Sequence, residues 1–535
     1  MRMLAVLLLS LVASGLACNI TLPQVTTIHG IVEGICLQAS PEVNGFLGIP
    51  YAAPPVGDLR LEEPIPPLNW SGVLETKTQP NACPQNTTRP NSEDCLYLNV
   101  FSPATPSSIP AGYPVMVVIH GGGFQYGTAL ESGSTGIAKT LVSRGVVVVV
   151  IQYRLGLLGW CTMGDNVLPG NLGLWDQTRA LEWINQNIGA FGGNKDSVTL
   201  FGGSAGAASN EALNLSPHSN HLFHRAITFS GLDRDTYRSN STSACINLAK
   251  ANGLTWTDSS DLKAQLKAAP LNGLKPIVGS KFFPDSFDFL KLDWVPNMDG
   301  DFFAQDHTVL RKVAPNKPRM MGSAYMEGVT FTSNFNITWE LLDELLEYYA
   351  PQGFPARNQI ISWYRDQYKS EAYADEPTAA AKHASLSAFG ERTFVSGIVD
   401  GKDNLLKLHG FNANVFLYVF KQFNPASVGA NFPFRSFAGH VSEQWYVLGS
   451  NSWTLSPDDI IVQKFIARAV ANFVKTGNPN GSGSTALPVK WQPVTPLNRN
   501  RNLEITVTPT MKSSYFNNRL SISNEIGHLM GTIII

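Results

Sequence analysis

The sequence predicts an α/β fold, a large and mostly parallel sheet covered by helices on both faces. Three observations lead there. Short continuous apolar runs, β-branched in majority, recur as strands buried on both faces require, Val115–Ile119 and Val146–Ile151 being the clearest. Helix-length segments alternate with such strands. The 535 residues are 44% hydrophobic and only 15% charged, against a usual ~25% charged, so the chain can bury a large core.

Taken in order, the strand Val115–Ile119 runs into a polar, Gly-rich stretch and then a helix over Ile137–Arg144. After the strand Val146–Ile151, Asp176–Ile188 reads as a helix with Ala180, Leu181, Trp183 and Ile184 on one side, and Gly192-Gly193-Asn194 ends the unit. Val198–Phe201 is a short strand, followed at once by a Gly/Ser/Ala turn and a helix over Ala205–Leu213. Ala226–Phe229 and Val415–Phe420 are further strands, and Trp339–Tyr349 is a helix with acidic residues between leucines. One helix shows both ends. Ser456 caps it, Pro457 takes its first position, and Asp458-Asp459 complement the dipole. Ile461, Phe465, Ala469 and Phe473 form its buried stripe, and Gly477 stops it. No internal repeat or low-complexity segment interrupts the chain.

At roughly 150 residues per domain the length suits three to four domains or one large enzyme. Lys and Arg total 39 against 41 Asp and Glu, a net charge of −2, which argues against a grip on nucleic acid or an anionic membrane. Met1-Arg2-Met3, the apolar run Leu4–Val12 and the small residues before Ala17 read as a secretory signal over 1–17, too short to span a bilayer. The rest, 18–535, is expected to be a single domain without a membrane span. Seven Asn-x-Ser/Thr sequons, at Asn19, Asn69, Asn86, Asn214, Asn240, Asn336 and Asn480, fit a glycosylated secretory protein. Oxidising conditions let Cys83 pair with Cys95. A Cys18–Cys36 bridge is open, and Cys161 and Cys245 either pair or stay free. There is no Cys-x-x-Cys spacing, and no metal or cofactor is expected.

Four segments carry the chemistry. Gly202-Gly203-Ser204-Ala205-Gly206 follows a strand and opens a helix, the setting in which a nucleophile elbow lifts a serine hydroxyl above the sheet edge. His120-Gly121-Gly122-Gly123-Phe124 follows the strand Val115–Ile119. Its glycines leave N–H groups free to converge, so Gly122 and Gly123, with Ala205, are the candidate oxyanion hole. A phosphate loop would need a Gly-Lys-Ser/Thr ending, which is absent here, and His120 reads as structural. A serine nucleophile also needs a histidine base and a carboxylate to orient it, in the chain order Ser, acid, His. Glu327 and His440, each in a loop of small residues, fit that order, although position alone leaves Asp306 and His409 as alternatives.

A resemblance settles the choice. The chain resembles the type-B carboxylesterase/lipase family, the cholinesterase-like α/β-hydrolases, over nearly its whole mature length. The shared segments include Phe46–Ala52, Pro54–Gly57, Ser92–Val100, Tyr153–Gly156, Asn171–Gln177 and Phe191–Asn194. The resemblance implies the α/β-hydrolase fold and a serine hydrolase with Ser204 as nucleophile, Glu327 as acid and His440 as base. It also implies a Cys83–Cys95 disulfide. Two departures stand out. Gly203 replaces the family's usual glutamate, and the eleven residues between Cys83 and Cys95 are too few for a lid, which favours soluble esters.

The expected activity is therefore a secreted serine carboxylesterase acting on small-molecule esters through an acyl-enzyme. The alternatives are a natural-product tailoring enzyme that uses the same triad for acyl transfer, and a non-catalytic adhesion relative. Adhesion relatives typically lose a triad residue or the oxyanion glycines, and neither loss is seen. Acyl and alcohol preference and oligomeric state leave no pattern in the sequence.

Overall fold

The computed structural model describes residues 22–516 except 38–39, 88, 232–241, 272–291, 293, 332–338, 350–357, 360, 363–364, 367–376 and 428–436. The expected signal segment, Cys18 and the sequons at Asn19, Asn240 and Asn336 lie outside the described residues.

Fourteen strands are described. β1 (Gln24–Thr27), β2 (Gly30–Glu33) and β5 (Val73–Glu75) form a small sheet. The others form one sheet of eleven: β3 (Ile35–Leu37), β4 (Val43–Pro50), β6 (Tyr97–Pro103), β7 (Tyr113–Ile119), β8 (Val147–Ile151), β9 (Gly193–Gly203), β10 (Arg225–Phe229), β11 (Arg319–Ala324), β12 (Val415–Phe420), β13 (Asn502–Ile505) and β14 (Thr510–Lys512). The spatial order is β14-β13-β12-β11-β10-β9-β7-β8-β6-β4-β3. Every pairing from β8 through β7, β9, β10, β11 and β12 to β13 is parallel, and both edges are antiparallel. This is the expected α/β-hydrolase architecture.

The parallel centre explains the apolar runs. Val147–Ile151 is buried at all five positions, with Val147, Val149 and Ile151 in one core layer and Val148 and Val150 in the other. A strand with helices on both faces has no polar side to show. Since parallel strands begin at the same end, their carboxyl ends share one edge, where the loops after β7, β9, β11 and β12 carry the candidate site residues.

Several elements differ from the sequence reading. The helix expected from Asp176 starts four residues earlier, at Leu172, and Asp176 is buried within it as the ion-pair partner of Arg154. The helix expected over Ile137–Arg144 is Ser134–Thr140 followed by a separate 3-10 turn, Val142–Arg144. β9 extends well beyond Val198–Phe201. The helix Pro457–Thr476 has the expected Ser456 capping box and a left-handed Gly477, but Ile461 is 48% exposed. A repeat of four advances about 40° per step around a helix, so its first member drifts off the buried face, where Val462, Ile466 and Val470 pack instead.

Cys83 and Cys95 are disulfide-bonded, and so are Cys161 and Cys245, 84 residues apart in the chain. Cys36 is also in a disulfide. Of the described sequons, Asn69 and Asn86 are exposed, and Asn480 is half-buried with its amide bonded to Trp491. Asn214 corrects the sequence reading. It lies buried in the helix Ala205–Leu215 and accepts a hydrogen bond from Lys317 Nζ, so a glycan has no way out of the folded chain there. No helix among the described residues is long and apolar enough to cross a membrane.

Candidate active site

Ser204 lies between the last residue of β9 and the first of the helix Ala205–Leu215. Its backbone is at φ 56°, ψ −125°, a region that costs a non-glycine residue of order 1–3 kcal/mol. Its surroundings hold it there. Ser204 N–H donates to Phe229 O on β10 (2.9 Å), and Ser204 O accepts from the N–H groups of Ala207 and Ala208. A Cβ on Gly202 would stand 2.3 Å from the Gly206 carbonyl, so the turn closes only with glycine at 202.

The Gly-rich loop after β7 lies against this turn. A Cβ on Gly206 would meet Ile119 O at 2.1 Å, and one on Gly121 would lie 3.1 Å from Ser204 Cβ. Both Gly122 (φ 105°) and Gly123 (φ 58°) have positive φ. Among the described residues, the N–H groups of Gly122, Gly123 and Ala205 donate to no protein acceptor. The loop is pinned by Tyr153, whose hydroxyl donates to His120 O (2.8 Å), and by Gly156 N–H on Phe124 O (2.9 Å). Gln85, inside the Cys83–Cys95 loop, receives Gly127 N–H (3.0 Å) and donates to Gly127 O (2.8 Å). His120 is stacked on Tyr153, and burial pushes its pKa down to about 4, so it stays neutral, as a structural residue would.

Glu327 follows β11 and opens a 3-10 turn, Glu327–Phe331. His440 precedes the helix Ser442–Leu448. The two loops are joined by Met326 N–H on Ala438 O (3.0 Å), and a Cβ on Gly439 would collide with Thr330 and Val329. That contact brings Glu327 Oε2 within 2.6 Å of His440 Nδ1. The other carboxylate oxygen accepts from Ala324 N–H (2.7 Å) and the Ser230 hydroxyl (2.6 Å). Phe394, on a π-helical turn at Glu391–Val395, covers the imidazole with ring centroids 4.0 Å apart. Val441, next to His440, holds φ 53°, rare for a β-branched residue, and its N–H reaches Ser230 Oγ (3.3 Å). The Ser204 hydroxyl makes no hydrogen bond among the described residues. Such bonds are often long without substrate and tighten when it binds. The loops themselves are adjacent, since Gly203 abuts Val441. The alternatives lie elsewhere: Asp306 caps the helix His307–Val313, and His409 ends the helix Ser396–His409.

Residues 21–523 match the model of the carboxylesterase family. The chain belongs to that family. It is 36% identical over 472 residues to esterase cest-33 of Caenorhabditis elegans, covering 83% of each chain. It is 33% identical to the acylcarnitine hydrolase of Rattus norvegicus, covering 84% of this chain and 81% of the relative. Bile salt-activated lipase of Homo sapiens is 31% identical, covering 93% of this chain and 69% of the lipase. The protein is a carboxylic ester hydrolase acting on small-molecule esters.

Several segments that carry the family resemblance prove to be scaffold in the esterase. Glu93 holds Arg60 through two hydrogen bonds of 2.6 Å. Asp176 holds Arg154 through a buried pair of bonds at 2.7 and 2.8 Å. Asn99 fixes Gly48 N–H (2.9 Å). Gly203 has a steric role: a Cβ there would lie 2.6 Å from Gln444 Oε1 and 2.9 Å from Val441 Cγ1. The glutamine end can swing away; the strained valine cannot. Gly203→Ala is therefore expected to push the His440 loop outward and lower kcat/KM about tenfold with the fold intact, measured with p-nitrophenyl acetate.

Sequence reasoning missed Ser230, Phe394 and Glu443. Glu443 had one legible signal, its place three residues beyond His440. Its Oε1 accepts from the Tyr418 hydroxyl (2.8 Å) and lies 3.5 Å from Ser230 Oγ, so Ser230 stands between two buried glutamates. Burial, then the nearby charge of Glu327, pushes the Glu443 carboxyl up to about 8. Folding therefore takes up a proton between the ordinary value of 4.5 and about 8, and stability is lost as pH rises through that window. Glu443→Gln, which mimics the protonated acid, should flatten the decline in Tm from pH 5 to 8 and keep activity; an unchanged slope would place the proton elsewhere.

Proposed function

We propose that the esterase is a secreted serine carboxylesterase working through an acyl-enzyme on Ser204, with His440 as base and Glu327 as the orienting acid. The observation that carries this reading is the 2.6 Å contact between Glu327 Oε2 and His440 Nδ1, at the same sheet edge as the strained Ser204 turn. A carboxylate on Nδ1 leaves Nε2 to act on the substrate side.

His440 Nε2 takes the Ser204 proton as Oγ attacks the ester carbonyl. The oxygen of the tetrahedral intermediate collects its negative charge against the N–H groups of Gly122, Gly123 and Ala205. Collapse breaks the ester C–O bond, and the proton on His440 leaves with the alcohol. Water then gives its proton to His440 as it attacks the acyl-serine; the second intermediate breaks its C–O bond to Ser204, which takes the proton back from His440, and the acid is released. A histidine base must be neutral to accept a proton, so the rate should fall in acid.

A fluorophosphonate probe tests the assignment. It should label wild-type protein at Ser204, identified by peptide mass spectrometry, and leave Ser204→Ala unlabelled. Labelling at another serine would overturn the mechanism. The first residues of the protein recovered from eukaryotic culture medium test secretion, with Cys18 expected at the mature N-terminus.

A further inference from the structure

One outer helix carries cations that no acid neutralises. Lys464, Arg468 and Lys475 are exposed on the helix Pro457–Thr476. At about 100° and 1.5 Å per residue they fall within about 40° of one another around the helix and span about 16 Å along it. Arg144 joins them from the 3-10 turn Val142–Arg144, and a Cβ on the next residue, Gly145, would lie 3.8 Å from Lys475 Nζ. Backbone carbonyls hold the two guanidiniums. Arg144 Nη1 donates to Thr140 O (2.6 Å) and Lys139 O (3.1 Å), and Arg468 Nη1 reaches Ala486 O (3.4 Å).

None of these four side chains makes an ion pair with a carboxylate among the described residues. They oppose one another instead. Partial burial and then Arg468 lower the pKa of Arg144, and partial burial and then Arg144 lower that of Lys475. The acids of the helix, Asp458 and Asp459, are both in its first turn, and Asp459 is taken by the Ser456 cap and the Tyr446 hydroxyl. The net charge of −2 therefore hides a local positive excess, whose self-repulsion a row of anionic groups would relieve.

The patch reaches the starting ends of the parallel strands. A Cβ on Gly145 would lie 3.4 Å from the ring of Tyr113, which opens β7. Arg225, which opens β10, donates to Val474 O (3.3 Å), and a Cβ on Gly477 would lie 3.1 Å from Pro318, just before β11. Ser204, Glu327 and His440 lie in loops after the other ends of the strands. The helix buries Val462, Ile466 and Val470 in the core, and its exposed large apolar side chains are Ile460 and Ile461, near its start.

We propose that this patch binds a sulfated polysaccharide laid along the helix, tethering the esterase by the side away from its catalytic edge. A linear polymer with closely repeated anionic groups matches a row of cations, whereas docking on lipid calls for a broad apolar face beside them. The choice of an extracellular polymer rests on the secreted reading above; the charge excess does not.

The test is the affinity of the intact esterase for immobilised heparin in about 0.1 M NaCl. Arg468→Gln/Lys475→Gln should weaken it about tenfold and flatten its dependence on salt, since fewer counterions are released. Both side chains are exposed, so the variant should keep the wild-type Tm. Lys250→Gln/Lys312→Gln removes two exposed cations from the helices Thr242–Ala251 and His307–Val313, which pack in the other core layer, and should leave the affinity unchanged. Heparin-bound protein should hydrolyse p-nitrophenyl acetate as fast as free protein; a loss on binding would overturn the placement away from the site. Equal affinity in wild type and patch variant, an equal loss in the control variant, or tighter binding to phosphatidylserine vesicles than to heparin overturns the proposal. Secretion is read separately, from the mature N-terminus, so a failure of that reading is distinguishable from a failure to bind heparin.

Discussion

Ser204→Ala is expected to lower kcat/KM by on the order of 10⁵-fold while the protein folds normally. The hydroxyl makes no hydrogen bond among the described residues, so removing it leaves no buried group without a partner. Stability should stay within about 0.5 kcal/mol of wild type. The backbone supplies a sharper check. Alanine keeps the strain at φ 56°, whereas glycine relieves it, so Ser204→Gly should be more stable than Ser204→Ala by about 1 kcal/mol in chemical denaturation. Both should be inactive. An active alanine variant would remove Ser204 from the chemistry, and equal stabilities would mean the turn is not strained.

Glu327→Gln is expected to cost about 10³- to 10⁴-fold in kcat, with little change in KM. The hydrogen bonds dictate why. Oε1 accepts from Ala324 N–H and from the Ser230 hydroxyl, so the amide oxygen of glutamine must occupy that side. Its NH₂ then faces His440 Nδ1, where an acceptor stood. The imidazole is forced to present N–H toward Ser204 and can no longer take its proton. Steady-state kinetics with a p-nitrophenyl ester measures this. A loss below tenfold would mean that Glu327 does not set the tautomer.

These two residues were legible to different degrees. Ser204 announces itself because strand, Gly-x-Ser-x-Gly and helix are contiguous, and a local pattern suffices. Glu327 and His440 are 113 residues apart, and their meeting depends on the parallel order of β11 and β12, which loop composition does not reveal. Resemblance to a family, not position, picked them over Asp306 and His409. Phe394 and Ser230 left no trace, since a π-helical turn and a strand-end serine have no distinctive spacing. The same division runs through the fold. Val415–Phe420 was readable to the residue because a doubly covered strand is apolar throughout. The edge strands β3 and β14, only three residues each, are too short to show a pattern and were not. The Cys161–Cys245 bridge joins the end of the helix Gly156–Trp160 to the helix Thr242–Ala251, 84 residues on, and had no local signature.

The two hydrogen bonds between Gln85 and Gly127 tie the catalytic loop to a stretch of chain closed by Cys83 and Cys95. Opening that ring would let Gln85 drift and the glycine N–H groups lose their common aim, while the eleven-stranded sheet is untouched. Mild thiol treatment should therefore silence catalysis before circular dichroism registers any change. The redox state of the surroundings would then act as a permit for turnover, granted only where this ring stays oxidised.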